Sequence, residues 1–308
     1  MENKILILAS TSFIGINIKK YLEKKYNVFC LDRRLVDFKD QILLQEKIKT
    51  INPNIIINCC GIVGSSIKND KLNDFDLLNE NIILNINVLN ACKNLNITKI
   101  IMFSSYRLFG DDIHENYDEN DIQLSSIKYN KGYLTAKKIL DTQIELFMKE
   151  YKINIVCLIM TNIFGCYDDF SINSRIVPSM ITNIKKHIDE NTDITISSNK
   201  NILVNLVFVE DISRIIELCI LSENVQGNIL IFNKQGTITL ENLTIQISKI
   251  LNYQKKITFI NDVASHNNNN IMKPNLSKFY TLFEDFKFTD LKTSLEKTID
   301  FINLTKSE

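Results

Sequence analysis

The first half of the chain alternates short apolar runs with segments that have helical periodicity. Apolar runs of this length predict strands, and the periodic segments between them predict helices. The predicted strands are residues 4–9, 27–31, 54–58, 97–103 and 153–160, and the predicted helices are residues 13–25, 41–50, 75–95 and 129–151. Strands that are apolar on both faces and are joined by helices form a parallel sheet with right-handed crossovers. The pattern therefore predicts an α/β fold with a Rossmann-like, doubly wound parallel sheet.

The length of the chain, 308 residues, is large for one compact domain and small for three. We expect a dinucleotide-binding Rossmann domain at residues 1–165 and a smaller α/β C-terminal substrate-binding lobe at residues 166–308. Residues 203–232 are again apolar in part, and we expect them to return to the large sheet. A helix is predicted over residues 173–188.

The composition excludes several classes of partner. Lys plus Arg and Asp plus Glu both number 36, so no net field indicates nucleic acid or an anionic membrane surface. No apolar run reaches membrane-spanning length. Seven cysteines without regular spacing, and no recognisable signal peptide, are typical of a reducing cytoplasm. The three histidines are not in metal-ligand spacing, so no metal site is expected.

The turn after the first predicted strand has the spacing of a glycine-rich phosphate loop. Residues 9–15 read Ala-Ser-Thr-Ser-Phe-Ile-Gly, in which only the last of three glycine positions holds glycine. Glycine serves such a loop by allowing a tight turn and close approach of the backbone to a pyrophosphate. Small residues replace the others, so we expect a loosened cofactor site. The expected cofactor-binding residues here are Ala9, Thr11, Ser12, Phe13, Ile14 and Gly15.

Three charged residues follow the second predicted strand. Asp32 is placed where a carboxylate binds the ribose 2′-hydroxyl of NAD. Arg33 and Arg34 follow it, and guanidinium groups at this place suit the 2′-phosphate of NADP. The residues alone leave both cofactors open, as well as the possibility that all three are solvated loop charges.

A serine, a tyrosine and a lysine form a candidate catalytic group. Ser105 follows the predicted strand 97–103, and Tyr133 and Lys137 lie one turn apart on the helix that comes next. A lysine ammonium about 4 Å from the phenol contributes about 4 kcal/mol at an effective dielectric constant of about 20. This equals about three pKa units, so we expect Lys137 to lower the pKa of Tyr133 into the range of a proton donor or acceptor.

With these motifs the chain resembles the extended short-chain dehydrogenase/reductase family, and within it the GDP-L-fucose synthase branch of nucleotide-sugar 4-ketoreductases. The resemblance covers nearly the whole chain and rests on the turn 9–15, Ser105, the pair Tyr133 and Lys137, and residues 60–64, 161–165, 173–178 and 207–211. It implies catalytic roles for Ser105, Tyr133 and Lys137, with Lys137 also binding the cofactor. It adds Cys60 and Gly61 to the cofactor site, and Asn162 and Asn173 to the substrate site.

Two arginines depart from the pattern of that branch. Its members epimerise two carbons beside the ketone with a cysteine and a histidine, and Arg107 and Arg175 stand at those positions. Arginine stays protonated and cannot shuttle a proton, but it suits phosphate or sugar oxygens. The alternative is that both arginines pair with carboxylates such as Asp111, Asp168 or Asp169. Another family arginine is replaced by Val204, and Lys200 or Arg175 would compensate on the diphosphate.

The resemblance therefore implies a cytoplasmic NADPH-dependent reductase of a nucleotide-linked 4-keto-6-deoxy sugar, with GDP as the expected nucleotide and no 3,5-epimerisation. The sequence leaves open an NAD-dependent nucleotide-sugar epimerase and a catalytically silent Rossmann subunit. It also leaves open the base, the sugar (hexose or heptose) and the stereochemistry of the product. A homodimer formed through the helices at residues 75–95 and 129–151 is implied by the resemblance alone.

Overall fold

The computed structural model describes residues 3–63, 73–110, 116–123, 126–127, 130–260 and 273–305. Within these ranges the strands are β1 (Lys4–Leu8), β2 (Asn27–Leu31), β3 (Ile55–Asn58), β4 (Lys99–Ser105), β5 (Asn154–Met160), β6 (Asn162–Phe164), β7 (Ile194–Ser197), β8 (Leu203–Phe208), β9 (Gly227–Ile231), β10 (Thr237–Thr239) and β11 (Ile257–Ile260). The helices are α1 (Phe13–Leu22), α2 (Gln41–Ile51), α3 (Asp74–Cys92), α4 (Lys131–Tyr151), α5 (Ile176–Glu190), α6 (Val209–Leu221), α7 (Leu240–Ile250), α8 (Ser277–Leu282) and α9 (Leu291–Thr305). No helix in the described ranges is both long and apolar enough to cross a bilayer.

The chain divides into two compact units, and each is discontinuous in sequence. Unit 1 comprises the described residues of Met1–Met160, Ile212–Ile231 and Pro274–Phe286. Unit 2 comprises those of Thr161–Asp211, Phe232–Lys273 and Lys287–Glu308.

Unit 1 is built on a sheet of six parallel strands in the order β2-β1-β3-β4-β5-β9. The central strands are buried on both faces, as the continuous apolar runs predict, and the prediction of a Rossmann-like doubly wound sheet is confirmed. The strand order reverses between β1 and β3. In such sheets a ligand crevice opens beyond the carboxyl ends of the two strands at the reversal.

A buried lysine, Lys99, caps the C-terminal end of helix α6. Lys99, the first residue of β4, is 5% exposed. Its ammonium donates to the carbonyl of Cys219 at 2.5 Å and also to the carbonyl of Ser222, at the C-terminal end of α6. A cation at this end satisfies carbonyl groups that the helix leaves without partners and complements its dipole.

Unit 2 contains two small sheets. In the first, β8 lies between β10, which is antiparallel to it, and β6, which is parallel. In the second, β11 pairs with β7 in parallel. Helices α5, α7 and α9 pack on a core whose fully buried members include Ile181, Phe208, Leu243, Ile247 and Leu295. Thr239 caps α7 by accepting from the Asn242 amide at 3.2 Å.

Three local expectations differ from the structure. Residues 203–232 do not all return to the large sheet, since β9 does so and β8 joins β6 and β10. An apolar run buried on both faces predicts a strand but carries no information on which sheet receives it. Helix α5 begins at Ile176 instead of residue 173, because Arg175 has the extended backbone of an N-cap (φ −64°, ψ 163°). Strand β4 extends to Ser105, so the serine is its last residue.

Candidate active site

The loop after β1 keeps the path of a glycine loop although alanine and serine replace two glycines. Ala9 adopts φ +53°, in the left-handed region that disfavours residues with a Cβ. Ser12 is the N-cap of α1, and its hydroxyl accepts from the Gly15 amide at 3.1 Å. A Cβ at Gly15 would lie 2.5 Å from the Ala9 carbonyl oxygen, so this position requires glycine. The loop therefore preserves the close approach of helix and strand that the motif serves.

At the end of β2, the carboxylate of Asp32 is bound by Arg34. The Arg34 side chain donates to one Asp32 oxygen at 3.1 Å and to the other at 2.7 Å, and its amide donates to the former at 2.9 Å. These bonds lower the pKa of Asp32. Arg33 is exposed. Arg34 thus pairs with Asp32, whereas Arg33 lies beside the ligand crevice.

A cleft of about 450 Å³ opens at the strand-order reversal between β1 and β3. It is lined by Ala9, Thr11, Ser12, Asp32, Arg33, Arg34, Phe38, Cys59, Cys60, Gly61 and Leu84. Phe13, Ile14 and Gly15 form the first turn of α1, which follows directly. The cleft combines the N-terminus of α1, the two arginines Arg33 and Arg34, and apolar walls. This combination fits a dinucleotide. Sequence reasoning missed Phe38, Cys59 and Leu84, for which the only signal was their apolar character.

The loop after β3 is fixed from the side of α3. The Asn81 side chain accepts from the Ile62 amide at 3.0 Å and donates to the Ile62 carbonyl at 2.9 Å. Burial raises the pKa of the Cys60 thiol to about 12, so this thiol is neutral in the wall of the cleft. Gly64, which belonged to the motif in the sequence, lies outside the described residues.

Ser105, Tyr133 and Lys137 all belong to unit 1. Ser105 ends β4, and its hydroxyl accepts from the Arg107 amide at 3.4 Å at the start of a 3₁₀ turn, Tyr106–Phe109. Tyr133 and Lys137 lie in the first two turns of α4 and are buried. The Lys137 ammonium donates to the Phe103 carbonyl of β4 at 2.8 Å and lies 5.5 Å from the centroid of the Tyr133 ring. The lysine therefore ties α4 to the strand that carries Ser105.

The electrostatics of this group differ from the expectation. Burial raises the pKa of Tyr133 to about 12, and Arg107 opposes this rise. Burial also lowers the pKa of Lys137. The expected lowering of the Tyr133 pKa by Lys137 is wrong, because the ammonium binds a backbone carbonyl and faces the ring. A phenol with a raised pKa is protonated at neutral pH, which suits a proton donor better than a base.

The residues expected to bind substrate lie in unit 2, except Arg107. Asn162 is in β6 and donates to the Asn205 carbonyl at 3.1 Å. Asn173 is exposed in the segment before α5. Lys200 is paired with Glu241 at 3.1 Å, and both side chains are partly exposed.

Arg175 pairs with Asp168, one of the carboxylates weighed from the sequence. The Asp168 side chain is fully buried, whereas the Arg175 side chain is 48% exposed. Burial raises the pKa of Asp168, and Arg175 only partly offsets this. The second Asp168 oxygen is buried and has no hydrogen-bond partner among the described residues. For Arg107 the corresponding candidate, Asp111, lies outside the described residues.

Sequence reasoning also missed a buried asparagine that organises unit 2. Asn205, in the middle of β8, is completely buried. Its side chain accepts from the Thr161 hydroxyl at 2.9 Å and donates to the Asn233 carbonyl at 2.6 Å and the Thr237 hydroxyl at 2.8 Å. The backbone carbonyl of Asn205 accepts from the Asn162 side chain. A lone asparagine inside an apolar run was the signal, since a buried amide requires partners.

Comparisons with known proteins show which family the chain matches. The NAD dependent epimerase/dehydratase family matches residues 5–233. The GDP-L-fucose synthase of Dictyostelium discoideum is 23% identical over 96% of this chain and 94% of its own length. A GDP-L-fucose synthetase from Naegleria fowleri bound to NADP superimposes with a TM-score of 0.88, at 17% identity over 99% of this chain and 94% of that one. MlghC, a GDP-mannoheptose C4 reductase from Campylobacter jejuni with NADP bound, gives a TM-score of 0.83, at 15% identity over 98% of each chain.

Proposed function

The chain belongs to the NAD dependent epimerase/dehydratase family, and from this premise we propose that it is an NADPH-dependent reductase of nucleotide-linked sugars. It reduces the 4-keto group of a 4-keto-6-deoxy sugar, with GDP as the nucleotide, and does not epimerise carbons 3 and 5. The names of the relatives support this proposal, since they include a GDP-L-fucose synthase and a GDP-mannoheptose C4 reductase. The sequence-based assignment to the extended short-chain dehydrogenase/reductases is confirmed.

The observation that carries the proposal is the position of Tyr133, which is buried one turn from Lys137 on α4. Lys137 in turn donates to the strand that ends at Ser105. A protonated phenol donates a proton to a ketone oxygen as that oxygen gains charge. Ser105 orients the ketone by hydrogen bonding, and Lys137 ties the helix that carries Tyr133 to the strand that ends at Ser105. NADPH, when bound, supplies the hydride for carbon 4.

The Asp32–Arg34 pair supports NADPH over NADH. A carboxylate that already accepts three hydrogen bonds from one arginine is poorly placed to accept a ribose 2′-hydroxyl. Its negative charge is also neutralised, so it repels a 2′-phosphate less. Arg33 remains beside the cleft as the group that reads the phosphate.

The two arginines support reduction without epimerisation. Exchange of a proton at the carbon beside a ketone requires a base to remove it and an acid to return it. Arg107 and Arg175 do neither, because a guanidinium is not deprotonated in proteins. In the proposed enzyme Arg107, Asn162, Asn173, Arg175 and Lys200 bind the nucleotide sugar. The active form is a cytoplasmic homodimer.

The test is a panel of nucleotide-linked 4-keto sugars, with consumption of NADPH followed by its absorbance. Product formed in heavy water is then analysed by mass spectrometry. We expect stoichiometric oxidation of NADPH and no deuterium at carbon 3 or carbon 5. Deuterium at either carbon at the rate of turnover contradicts the absence of epimerisation. A cofactor that co-purifies and is never consumed identifies the epimerase instead, and a folded protein that binds no cofactor identifies the silent subunit.

The cofactor choice has its own test in a pair of variants. Arg34→Ala releases Asp32 from its partner, so NADPH affinity falls and NADH affinity rises. Arg33→Ala weakens NADPH but leaves NADH unchanged, since Asp32 stays paired. Tighter binding of NADH than of NADPH by the unchanged protein contradicts this assignment.

A further inference from the structure

The loop between β6 and α5 contains a strained turn. Tyr167 has φ +63°, in the left-handed region, and Gly165 has φ +150°. Glycine adopts such angles freely. For a residue with a Cβ, the left-handed region costs the equivalent of about 5- to 30-fold in an equilibrium constant. A tyrosine therefore keeps this conformation only where the surrounding structure imposes it.

The C-terminal helix α9 supplies a contact that holds this turn. The ring of Tyr167 packs on the ring of Phe301, with centroids 4.4 Å apart and planes tilted by 55°. The Cys166 thiol also lies 3.8 Å from the backbone carbonyl oxygen of Lys297, one turn earlier on the same helix. An aromatic pair contributes the equivalent of about 2- to 13-fold beyond the burial of its area. This contribution is comparable with the cost of the left-handed turn.

The turn directs the next side chain inward, toward Arg175. The side chain of Asp168 is fully buried, and one of its oxygens accepts from the Asp169 amide at 2.7 Å and from the Arg175 guanidinium. The other oxygen is buried and has no hydrogen-bond partner among the described residues. Burial of a carboxylate oxygen without a partner is unfavourable, so the ion pair does not by itself explain the conformation of the loop. Contacts outside the pair must hold the loop, and the ring contact of Tyr167 is next to it in the chain.

We propose that Tyr167 and Phe301 are positioning residues, whose ring contact holds the strained turn and so keeps Arg175 in place for the nucleotide sugar. This inference rests on the proposed function, because it takes Arg175 to bind that substrate. Neither ring has to touch the substrate, since the effect reaches it through the arginine. Helix α9 then contributes to substrate affinity as well as to the core of unit 2.

Loss of the ring contact should raise KM for the substrate and leave kcat nearly unchanged. Phe301→Leu and Tyr167→Leu each remove one ring and keep an apolar side chain. We expect each to raise KM for a GDP-linked 4-keto-6-deoxyhexose by about 2- to 10-fold. The dissociation constant of GDP-mannose, which has no ketone and binds without reacting, should rise by a similar factor in isothermal titration calorimetry. Tyr167→Phe keeps the ring and should change neither quantity.

A double-mutant cycle tests whether the ring contact acts through Arg175. Arg175→Ala alone should raise KM, and Phe301→Leu should then add no further rise in the Arg175→Ala background. Ile302→Val is the matched control, because Ile302 is buried in the same helix and 4% exposed. It should lower the melting temperature through weaker packing but leave KM and the GDP-mannose dissociation constant unchanged. Thermal unfolding verifies that each variant is folded.

Unchanged KM in both Phe301→Leu and Tyr167→Leu overturns the inference, and so do additive effects of Phe301→Leu and Arg175→Ala. A raised KM in Tyr167→Phe also overturns it, since the phenol hydroxyl would then bind the substrate itself. An equal rise in Ile302→Val would reduce the effect to a loss of stability. All these results leave the proposed function standing, because the unchanged protein still reduces the keto sugar. If the unchanged protein neither binds GDP-mannose nor reduces the keto sugar, the proposed function fails and the inference fails with it.

Discussion

Gly132 lies where the N-terminal turn of α4 meets the start of α3, one residue before Tyr133. Its amide donates to the Asp74 side chain at 3.2 Å. A Cβ at this position would lie 1.7 Å from the Asp74 carbonyl oxygen and 2.5 Å from the carbonyl carbon. These are backbone atoms, so no side-chain rotation relieves the clash. Gly132→Ala must therefore displace one helix end from the other.

Two effects of opposite sign decide the stability of that variant. Alanine is favoured over glycine inside a helix by about 1 kcal/mol, and by less in the first turn. Overpacking against a rigid neighbour costs about 1–3 kcal/mol and sometimes more. The cost of overpacking is the larger of the two effects, so we expect the free energy of unfolding to fall by about 1–2 kcal/mol. With an unfolding entropy of about 2.1 cal/mol/K per residue, that loss lowers the melting temperature of this 308-residue chain by roughly 1.5–3 °C.

The same displacement moves Tyr133. A shift of about 1 Å in a reacting group can reduce turnover by about 100-fold. We expect kcat for the keto-sugar to fall by at least about 10-fold. Differential scanning fluorimetry and steady-state kinetics measure the two effects. Gly61→Ala is the stability control, because a Cβ there would meet its nearest neighbour, the Asn81 side chain, at an ordinary 3.8 Å. An unchanged melting temperature with normal kcat in Gly132→Ala would refute the reasoning.

Three further predictions concern the chemistry. Tyr133→Phe should leave the fold and cofactor binding intact and reduce turnover by about 10²- to 10⁴-fold, with a smaller loss in Ser105→Ala; near-normal turnover in the first variant would assign the proton donor elsewhere. Because burial raises the pKa of Tyr133 to about 12, its donor form persists below that pH. The profile of kcat/KM for reduction should accordingly show no alkaline fall between about pH 7 and pH 9, and a fall near neutrality would mean that Lys137 does lower that pKa. Asp168→Asn, which loosens Arg175, should raise KM for the nucleotide sugar by about 3- to 10-fold with little change in kcat. Since burial raises the pKa of Asp168, the unchanged enzyme should show the same rise in KM as the pH falls and the carboxylate protonates, whereas Asp168→Asn should not; a lower KM in the variant would contradict a positioning role.

The sequence predicted the large sheet and the neighbourhood of its ligand crevice well, for a physical reason. Burial on both faces demands continuous apolar strands, and the order of strands and helices along the chain then limits the topology. Residues at strand ends, such as Ser105 and Asp32, inherit their place from that topology. The one-turn spacing of Tyr133 and Lys137 could also be predicted, because residues four apart lie one turn apart on any helix.

The sequence could not predict which partner each polar group takes. The sequence gives no rotamers, so it could not show that Arg34 folds back on Asp32 or that Lys137 binds the Phe103 carbonyl. The pKa of Tyr133 depends on its burial as well as on the charge of Lys137. The spacing of the two residues along the helix indicates only the nearby charge. The pairing of the buried Asp168 with the partly exposed Arg175 was one of several possibilities until the loop between them was placed.

The discontinuity of unit 1 has a consequence during synthesis of the chain. A ribosome that has released residue 160 has made five strands of the six-stranded sheet, but the last one, β9, follows about seventy residues later. At about 5–20 residues per second, this takes roughly 4 to 14 seconds. Throughout that interval β5 presents a long apolar edge with unpaired backbone groups, which is a template for association with other chains. Nascent chains are therefore most exposed to misassembly, and most dependent on chaperones, in the window that closes when residue 231 emerges.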